Sequence, residues 1–187
     1  MRIVAGRHRG RALAAPKGGE VRPTSERARE ALFDILAHAR FAERDLIEGA
    51  RVLDAFAGTG ALGLEALSRG GQFATFLERD RDARALLQAN IKSLGEDKNA
   101  RILAADALHP PRADAPCDLI FLDPPYDEDV AAAALAALAV QHWLAEGAVV
   151  SLEQPAKRDS APPAGFAVLD ERRYGKTSLW FLQYAAI

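Results

Sequence analysis

Apolar residues in the middle of the chain fall into short blocks that alternate between two periods. Blocks at 51–56, 73–77, 100–103, 118–122 and 148–152 are four to six residues long and predominantly apolar, the signature of buried strands. Runs at 61–69, 81–94 and 128–139 instead carry apolar residues at helical spacing. Strands that alternate with helices cross over one face and pair in parallel, so the pattern predicts an α/β protein with a doubly wound, mostly parallel sheet. The carboxyl-terminal pattern differs. Residues 166–173 and 177–184 are strand-like runs joined by Tyr174-Gly175-Lys176, which predicts an antiparallel hairpin. The Ala-rich run 131–139 contains Leu135 and Leu138 and is a buried helix rather than low-complexity sequence.

The first part of the chain follows neither period for long. Residues 1–15 alternate weakly, with Gly6 and Gly10 around a basic centre, and predict a small β-hairpin. Pro16, Gly18 and Gly19 then break the chain. Ser25 is placed to cap a helix whose Ala28, Ala31, Leu32, Ile35 and Leu36 share one face, with Arg27 and Glu30 towards the polar side. This hairpin-plus-helix extension ends near Glu48. The expected organisation is an extension, 1–48, and a main domain, 49–187.

Composition narrows the function classes. A chain of 187 residues that is 49% hydrophobic can bury a sizeable core. No apolar run approaches the roughly 20 residues of a membrane span. Arg2, Arg7, Arg9 and Arg11 stand where a signal peptide needs an apolar stretch. A single cysteine, Cys117, excludes an intramolecular disulfide, and His8, His38, His109 and His142 show no metal-ligand spacing. A cytoplasmic protein with no metal and no membrane partner is expected. The net charge of −2 averages over an asymmetry. Residues 1–30 carry eight Lys/Arg and three acids, whereas the rest of the chain carries sixteen and twenty-three. The basic head is either a solvated terminus or a contact for a polyanion, whose phosphates the forked Arg donors suit.

The candidate chemistry lies where predicted strands end. Val52-Leu53-Asp54-Ala55-Phe56-Ala57-Gly58-Thr59-Gly60 runs from a strand into a glycine-rich loop at a helix start, the place where open α/β sheets bind ligands. Glu78 ends the second strand, about 20 residues on, where a carboxylate can accept both ribose hydroxyls. Asp106 lies past the third strand, placed to accept from an adenine amino group or from the ribose side. Each has a plainer alternative: Asp54 can simply hold the loop by accepting backbone N–H groups, and Asp80 beside Glu78 is a candidate helix cap. An acid at Asp54 repels a pyrophosphate and attracts the cationic amino-acid part of S-adenosylmethionine, which disfavours a nicotinamide dinucleotide. The fourth strand ends in Leu122-Asp123-Pro124-Pro125-Tyr126, a stiff loop at the sheet edge. There Asp123 and the Pro124 carbonyl can accept from an exocyclic amine, and Tyr126 can stack on a base removed from its helix.

At these residues the chain resembles a class I S-adenosylmethionine-dependent methyltransferase of the amino-methylating kind, whose signature is Asn or Asp, Pro, Pro, then an aromatic. Arg2-Ile3-Val4-Ala5-Gly6, Arg9-Gly10-Arg11, Arg22-Pro23-Thr24-Ser25-Glu26-Arg27-Ala28-Arg29-Glu30 and Phe56-Ala57-Gly58-Thr59-Gly60-Ala61-Leu62-Gly63 are similar, in that order, to the RsmD family. That family methylates the exocyclic N2 of one guanine in bacterial small-subunit ribosomal RNA. The resemblance spans nearly the whole chain and implies a seven-stranded, Rossmann-like sheet. It implies cofactor contacts at Asp54, Phe56, Gly58, Gly60, Glu78 and Asp106, and a target-base site at Asp123, Pro124, Pro125 and Tyr126. It gives the basic head, with Arg2, Arg7, Arg9, Arg11, Arg22 and Arg27, a partner in 16S ribosomal RNA, within a 30S subunit or an assembly intermediate. A monomer is expected. The residues agree with a guanine target, because an ionised Asp123 accepts from both N1–H and N2–H of that base, whereas Asn also suits adenine. The rivals are an adenine-N6 or protein-glutamine methyltransferase, a noncatalytic RNA-binding assembly factor, and a nicotinamide-dependent dehydrogenase. Trp143, Trp180 and Cys117 are expected to serve packing.

Overall fold

The computed structural model describes residues 1–16, 26–42, 45–124, 130–156 and 161–186. In chain order the elements are α1 (Glu26–Ala37), β1 (Arg51–Asp54), α2 (Ala61–Ser68), β2 (Phe73–Leu77), α3 (Arg81–Leu94), β3 (Ala100–Leu103) and β4 (Cys117–Leu122). They continue with α4 (Val130–Val140), β5 (Leu144–Pro155), β6 (Phe166–Tyr174) and β7 (Thr177–Tyr184). The seven strands form one sheet in the order β3-β2-β1-β4-β5-β7-β6. The first five in that order pair in parallel, whereas β7 runs antiparallel to both β5 and β6. The strand order reverses direction between β1 and β4, and their carboxyl ends therefore flank the crevice where α/β sheets take ligands.

Alternation along each strand divides the core into two layers. Val52, Ala74, Phe76, Leu119, Phe121, Val149 and Phe181 face α1, α2 and α3 through Leu32, Phe33, Leu64, Leu67, Leu87 and Ile91. Leu53, Leu77, Ile120, Leu122, Val150 and Leu182 face the other way, onto Ala134, Leu135 and Leu138 of α4. Trp143 and Trp180 are buried in that second layer, and the Trp143 indole N–H donates to the Pro111 carbonyl at 2.8 Å. Cys117 is also buried there, with its thiol pushed up to about 12 by burial. Both tryptophans and the cysteine sit as the sequence predicts.

Two elements differ from the periodicity. The strand expected at 148–152 extends over Leu144–Pro155, because β7 pairs with it from Val149 to Pro155 and Leu144 reaches back to Cys117 across a register shift. Gly147 has φ 75, the left-handed region that interrupts the hydrophobic alternation before 148. The helix expected at 128–139 is described from Val130. The predicted hairpin at 1–15 is one antiparallel bridge, Arg2 to Ala12, supported by Ile3 N–H to Arg11 O at 2.9 Å and Leu13 N–H to Met1 O at 3.0 Å. The proposed Ser25 cap lies outside the described residues.

The basic amino-terminal segment is not a solvated tail. Ile3 and Leu13 are buried in the first core layer beside α1, and the backbone is fastened to α2 by a carboxylate with no solvent exposure, Glu65. Glu65 accepts the N–H groups of Val4 and Ala5 at 2.8 and 2.9 Å and the Arg69 Nε at 2.9 Å, and Arg29 Nε lies 3.7 Å away. Arg29, buried on the core side of α1, donates to the Arg2 carbonyl, and burial lowers its pKa against the opposing pull of Glu65. The Ser68 hydroxyl donates to Ala5 O at 2.6 Å and accepts from His8 N–H at 3.0 Å. Gly6 lies so close that an added Cβ would stand 1.9 Å from the Ser68 carbonyl oxygen, and its φ of 77 is one that side chains resist.

Arginines that the sequence offered to RNA are partly consumed by this docking. Arg7 donates to Glu96 at 2.9 and 2.6 Å, His8 Nε2 lies 2.5 Å from the same oxygen, and Arg11 donates to the Ser93 carbonyl at 2.5 Å. Burial pushes the Glu96 carboxyl up, but hydrogen bonds from Asn99, His8 and Arg7 outweigh it and hold the pKa below the ordinary value. Glu65→Ala strips two backbone N–H groups and Arg69 of their acceptor and leaves buried Arg29 without its nearest opposite charge. The expected loss is about 3–5 kcal/mol of stability, read from urea denaturation.

Candidate active site

β1 and β4 are neighbours, with Asp54 paired to Phe121 in the ladder and Ala55 N–H donating to the Phe121 carbonyl at 3.0 Å. Asp54, the last residue of β1, and Asp123, one residue past β4, therefore sit at adjacent strand ends. A cavity of about 300 Å³ opens beside Asp123, which lines it with Phe56, Glu78, Asp106 and Leu108 among others. Sequence-predicted residues from the ends of four successive parallel strands thus meet around one space.

The carboxylates have different environments. Asp54 is 3% exposed, and its Oδ2 accepts the Gly63 N–H at 3.0 Å, so the loop-holding role is real. Burial, opposed by that N–H and joined by nearby Glu78, pushes its pKa to about 7. Asp123 is also pushed to about 7, by burial first and then by the charges of Glu153 and Asp54. Asp106 goes the other way: the Leu108 N–H at 3.0 Å is the largest cause, burial opposes it, and Arg79 at 3.0 Å adds to the lowering. Glu78 accepts from Gly58 N–H and Asp80 N–H, both at 2.7 Å, which ties the second strand end to the glycine loop. Asp80 is itself a helix cap, accepting the Ala83 N–H at 2.7 Å.

The two loop glycines serve different ends. At Gly58, φ is 52 and an added Cβ would meet nothing within 4 Å, so the backbone is open to a ligand's close approach. At Gly60, φ is 81 and an added Cβ would stand 2.3 Å from Leu87 Cδ1. Glycine there lets the loop close against α3, a packing reason for the residue that stands beside the expected ligand contact. Pro124 is partly buried beside Asp123, whereas Pro125, Tyr126 and Arg22 lie outside the described residues. Among the described residues no group of His, Cys, Asp and Glu is arranged to hold a metal ion, and no helix is long and apolar enough to cross a membrane.

Sequence reasoning missed Asn90, which links the glycine loop to the amino-terminal segment, and the Glu65–Arg29 pair. Each left a trace: Glu65 is the single charge in the apolar helix Ala61–Ser68, and Asn90 shares the buried stripe of Leu87, Ile91 and Leu94. A polar residue in an apolar stripe must find buried partners.

A parallel sheet of this order, closed by an antiparallel hairpin and carrying a glycine loop with acidic strand ends, is the Rossmann-like fold of class I methyltransferases. The chain belongs to the RsmD family: the family model described as conserved hypothetical protein 95 matches residues 1–183. It is 35% identical over 190 residues to ribosomal RNA small subunit methyltransferase D of Escherichia coli strain K12, covering 100% of this chain and 91% of that one. Against the protein of the same name from Haemophilus influenzae it is 33% identical over 182 residues, covering 95% and 91%. The solved structure of the Escherichia coli protein yhhF superposes with a TM-score of 0.85 at 34% identity, covering 100% of this chain and 99% of that one.

Class I methyltransferases depend on S-adenosylmethionine, and the residues present fit it. Phe56, Leu77 and Leu108 give apolar walls, Gly58 leaves room at the backbone, and Asp54, held to the Gly63 N–H, keeps a carboxyl at the end of β1. A cationic ligand binds the ionised form of a carboxyl whose pKa is about 7, and that form grows as pH rises. The Kd for S-adenosylhomocysteine, which keeps the α-ammonium, should therefore fall by up to about tenfold per pH unit below neutrality and flatten above it. Isothermal titration across that range reads the trend, and a pH-independent Kd contradicts it.

Proposed function

We propose that this chain transfers the methyl group of S-adenosylmethionine to the exocyclic N2 of a guanine in 16S ribosomal RNA, acting on a 30S subunit or an assembly intermediate. The reading rests on one observation above all: Asp123, at the start of the Asp-Pro-Pro-Tyr run, lines one cavity together with Phe56, Glu78 and Asp106 from the neighbouring strand ends. Its relatives' names support ribosomal RNA as the substrate class.

The cofactor supplies an electrophilic methyl group on a sulfonium. The chain's residues must then prepare a poor nucleophile, since the lone pair of a nucleobase amine is delocalised into the ring. An ionised Asp123 would accept from guanine N1–H and N2–H, and the Pro124 carbonyl would accept the second N2 hydrogen, turning the lone pair towards the methyl. Phe56 and Leu108 would pack the adenosine, Glu78 and Asp106 would accept from its ribose and base, and Tyr126 would stack on the flipped guanine. Methylation leaves N2 with a proton to lose, and a carboxylate with a pKa near 7 is matched to take it at Asp123 Oδ.

The arginines proposed for RNA differ in their surroundings. Arg7 and Arg11 are engaged inside the chain, whereas Arg2, Arg9 and Arg27 line a second cavity of about 460 Å³ with Glu26 and Glu30. Arg2 is paired to Glu26 at an exposed 3.1 Å, which an RNA phosphate can replace. Arg9 and Arg27 are the better candidates for phosphate contacts, together with Arg22.

With purified protein and small-subunit particles, Asp123→Ala should abolish methyl incorporation while cofactor Kd stays within a few-fold, because Asp123 is assigned to the base. Equal loss of both would remove it from that role. The double variant Arg9→Ala/Arg27→Ala should lower the log–log salt slope of RNA binding by about 0.7 to 0.9 for each phosphate that the variant no longer neutralises. Binding titrations at several salt concentrations measure it, and an unchanged slope rejects the assignment.

A further inference from the structure

The glycine loop is the most permissive backbone in the site. Thr59 stands between Gly58 at φ 52 and Gly60 at φ 81, two positions where little restrains the chain locally. The peptide joining Thr59 and Gly60 is nevertheless held at both ends. Its N–H, on Gly60, donates to the Ala57 carbonyl at 2.7 Å, and its carbonyl, on Thr59, accepts from Asn90 Nδ2 at 3.0 Å. Asn90 is 2% exposed, so water does not substitute for it. Its other bonds go to one residue of the amino-terminal segment: Oδ1 accepts the Ala14 N–H at 2.7 Å and Nδ2 donates to the Ala14 carbonyl at 3.1 Å.

We propose that Asn90 is a positioning residue for cofactor binding: braced by Ala14, it fixes the orientation of the Thr59–Gly60 peptide and so makes the amino-terminal segment a working part of the cofactor site. The proposal rests on the reading of this loop as the cofactor loop. Removal of Asn90 takes the side-chain donor from the Thr59 carbonyl, and the Thr59–Gly60 peptide, with a glycine on its carboxyl side, can turn to find another. That turn redirects the Gly60 N–H and disturbs the approach at Gly58. The effect falls on the ligand through loop geometry, since Asn90 does not line the cavity.

Asn90→Asp gives a readout that a purely structural role does not. An ionised Asp keeps the acceptor for Ala14 N–H but turns the donor into a second acceptor facing two carbonyls. Protonation restores a donor. Relative to the wild type at each pH, S-adenosylhomocysteine affinity of Asn90→Asp should be lowest at high pH and recover as pH falls. Asn90→Ala should lose about tenfold at every pH. A measurement on the unaltered protein accompanies these variants: ligand addition should slow amide hydrogen exchange at Ala14 together with residues 58–63, although Ala14 lies outside the cavity lining. Wild-type affinity in both variants, or an Ala14 amide whose exchange ignores the ligand, overturns the proposal. Failure of the wild-type protein to bind S-adenosylhomocysteine instead overturns the cofactor reading on which it rests.

Discussion

The site depends on the parallel pairing of β1 with β4. That ladder sets the strand order's reversal, and with it the arrangement in which Asp54 and Asp123 stand at adjacent strand ends, Asp123 lining the cavity. Their proximity has an electrostatic consequence. Asp54 is buried, Asp123 is half-buried, and each feels another acid nearby, so desolvation and charge push both to about 7. Between the ordinary Asp value and about 7 the folded chain binds more protons than the unfolded chain, so stability contributed by these groups falls as pH rises through that window. A cationic ligand offsets the cost. The destabilised charge is thus the same feature that favours a sulfonium and an ammonium.

The second constraint is the docking of the amino-terminal segment. Glu65 holds it at Val4 and Ala5, Ser68 at Ala5 and His8, Glu96 at Arg7, and Asn90 at Ala14. Much of the segment's positive charge is therefore committed to order within the chain. What remains outward is a smaller basic surface at Arg2, Arg9 and Arg27, on a segment docked against α2 and α3. A rigid arm of this kind can set the distance between an RNA backbone contact and the base to be modified, which a solvated tail cannot.

Much of the α/β core was legible because local pattern and tertiary role agree. Phe73–Leu77, Arg81–Leu94, Ala100–Leu103 and Thr177–Tyr184 stand where periodicity places them. The length of β5 was not legible, since its extra residues are recruited by β7 and by Cys117 across a register shift. In the site, strand-end acids and glycines announce themselves, but which way a glycine faces depends on the neighbouring helix: Gly58 faces open space and Gly60 closes on Leu87. The fate of the arginines was hidden for the same reason. Arg29 lies in the helical stripe with Leu32, Phe33 and Leu36, yet its partner, Glu65, is 36 positions away in sequence and known only from the fold.

Nucleoside mass spectrometry of small-subunit ribosomal RNA tests the central claim most directly. RNA from cells lacking this protein would be treated with the purified chain and S-adenosylmethionine, as assembled particles and as naked RNA. The account predicts N2-methylguanosine, appearing with particles. Methylated adenosine in its place, or no methylated nucleoside on either substrate, would contradict it.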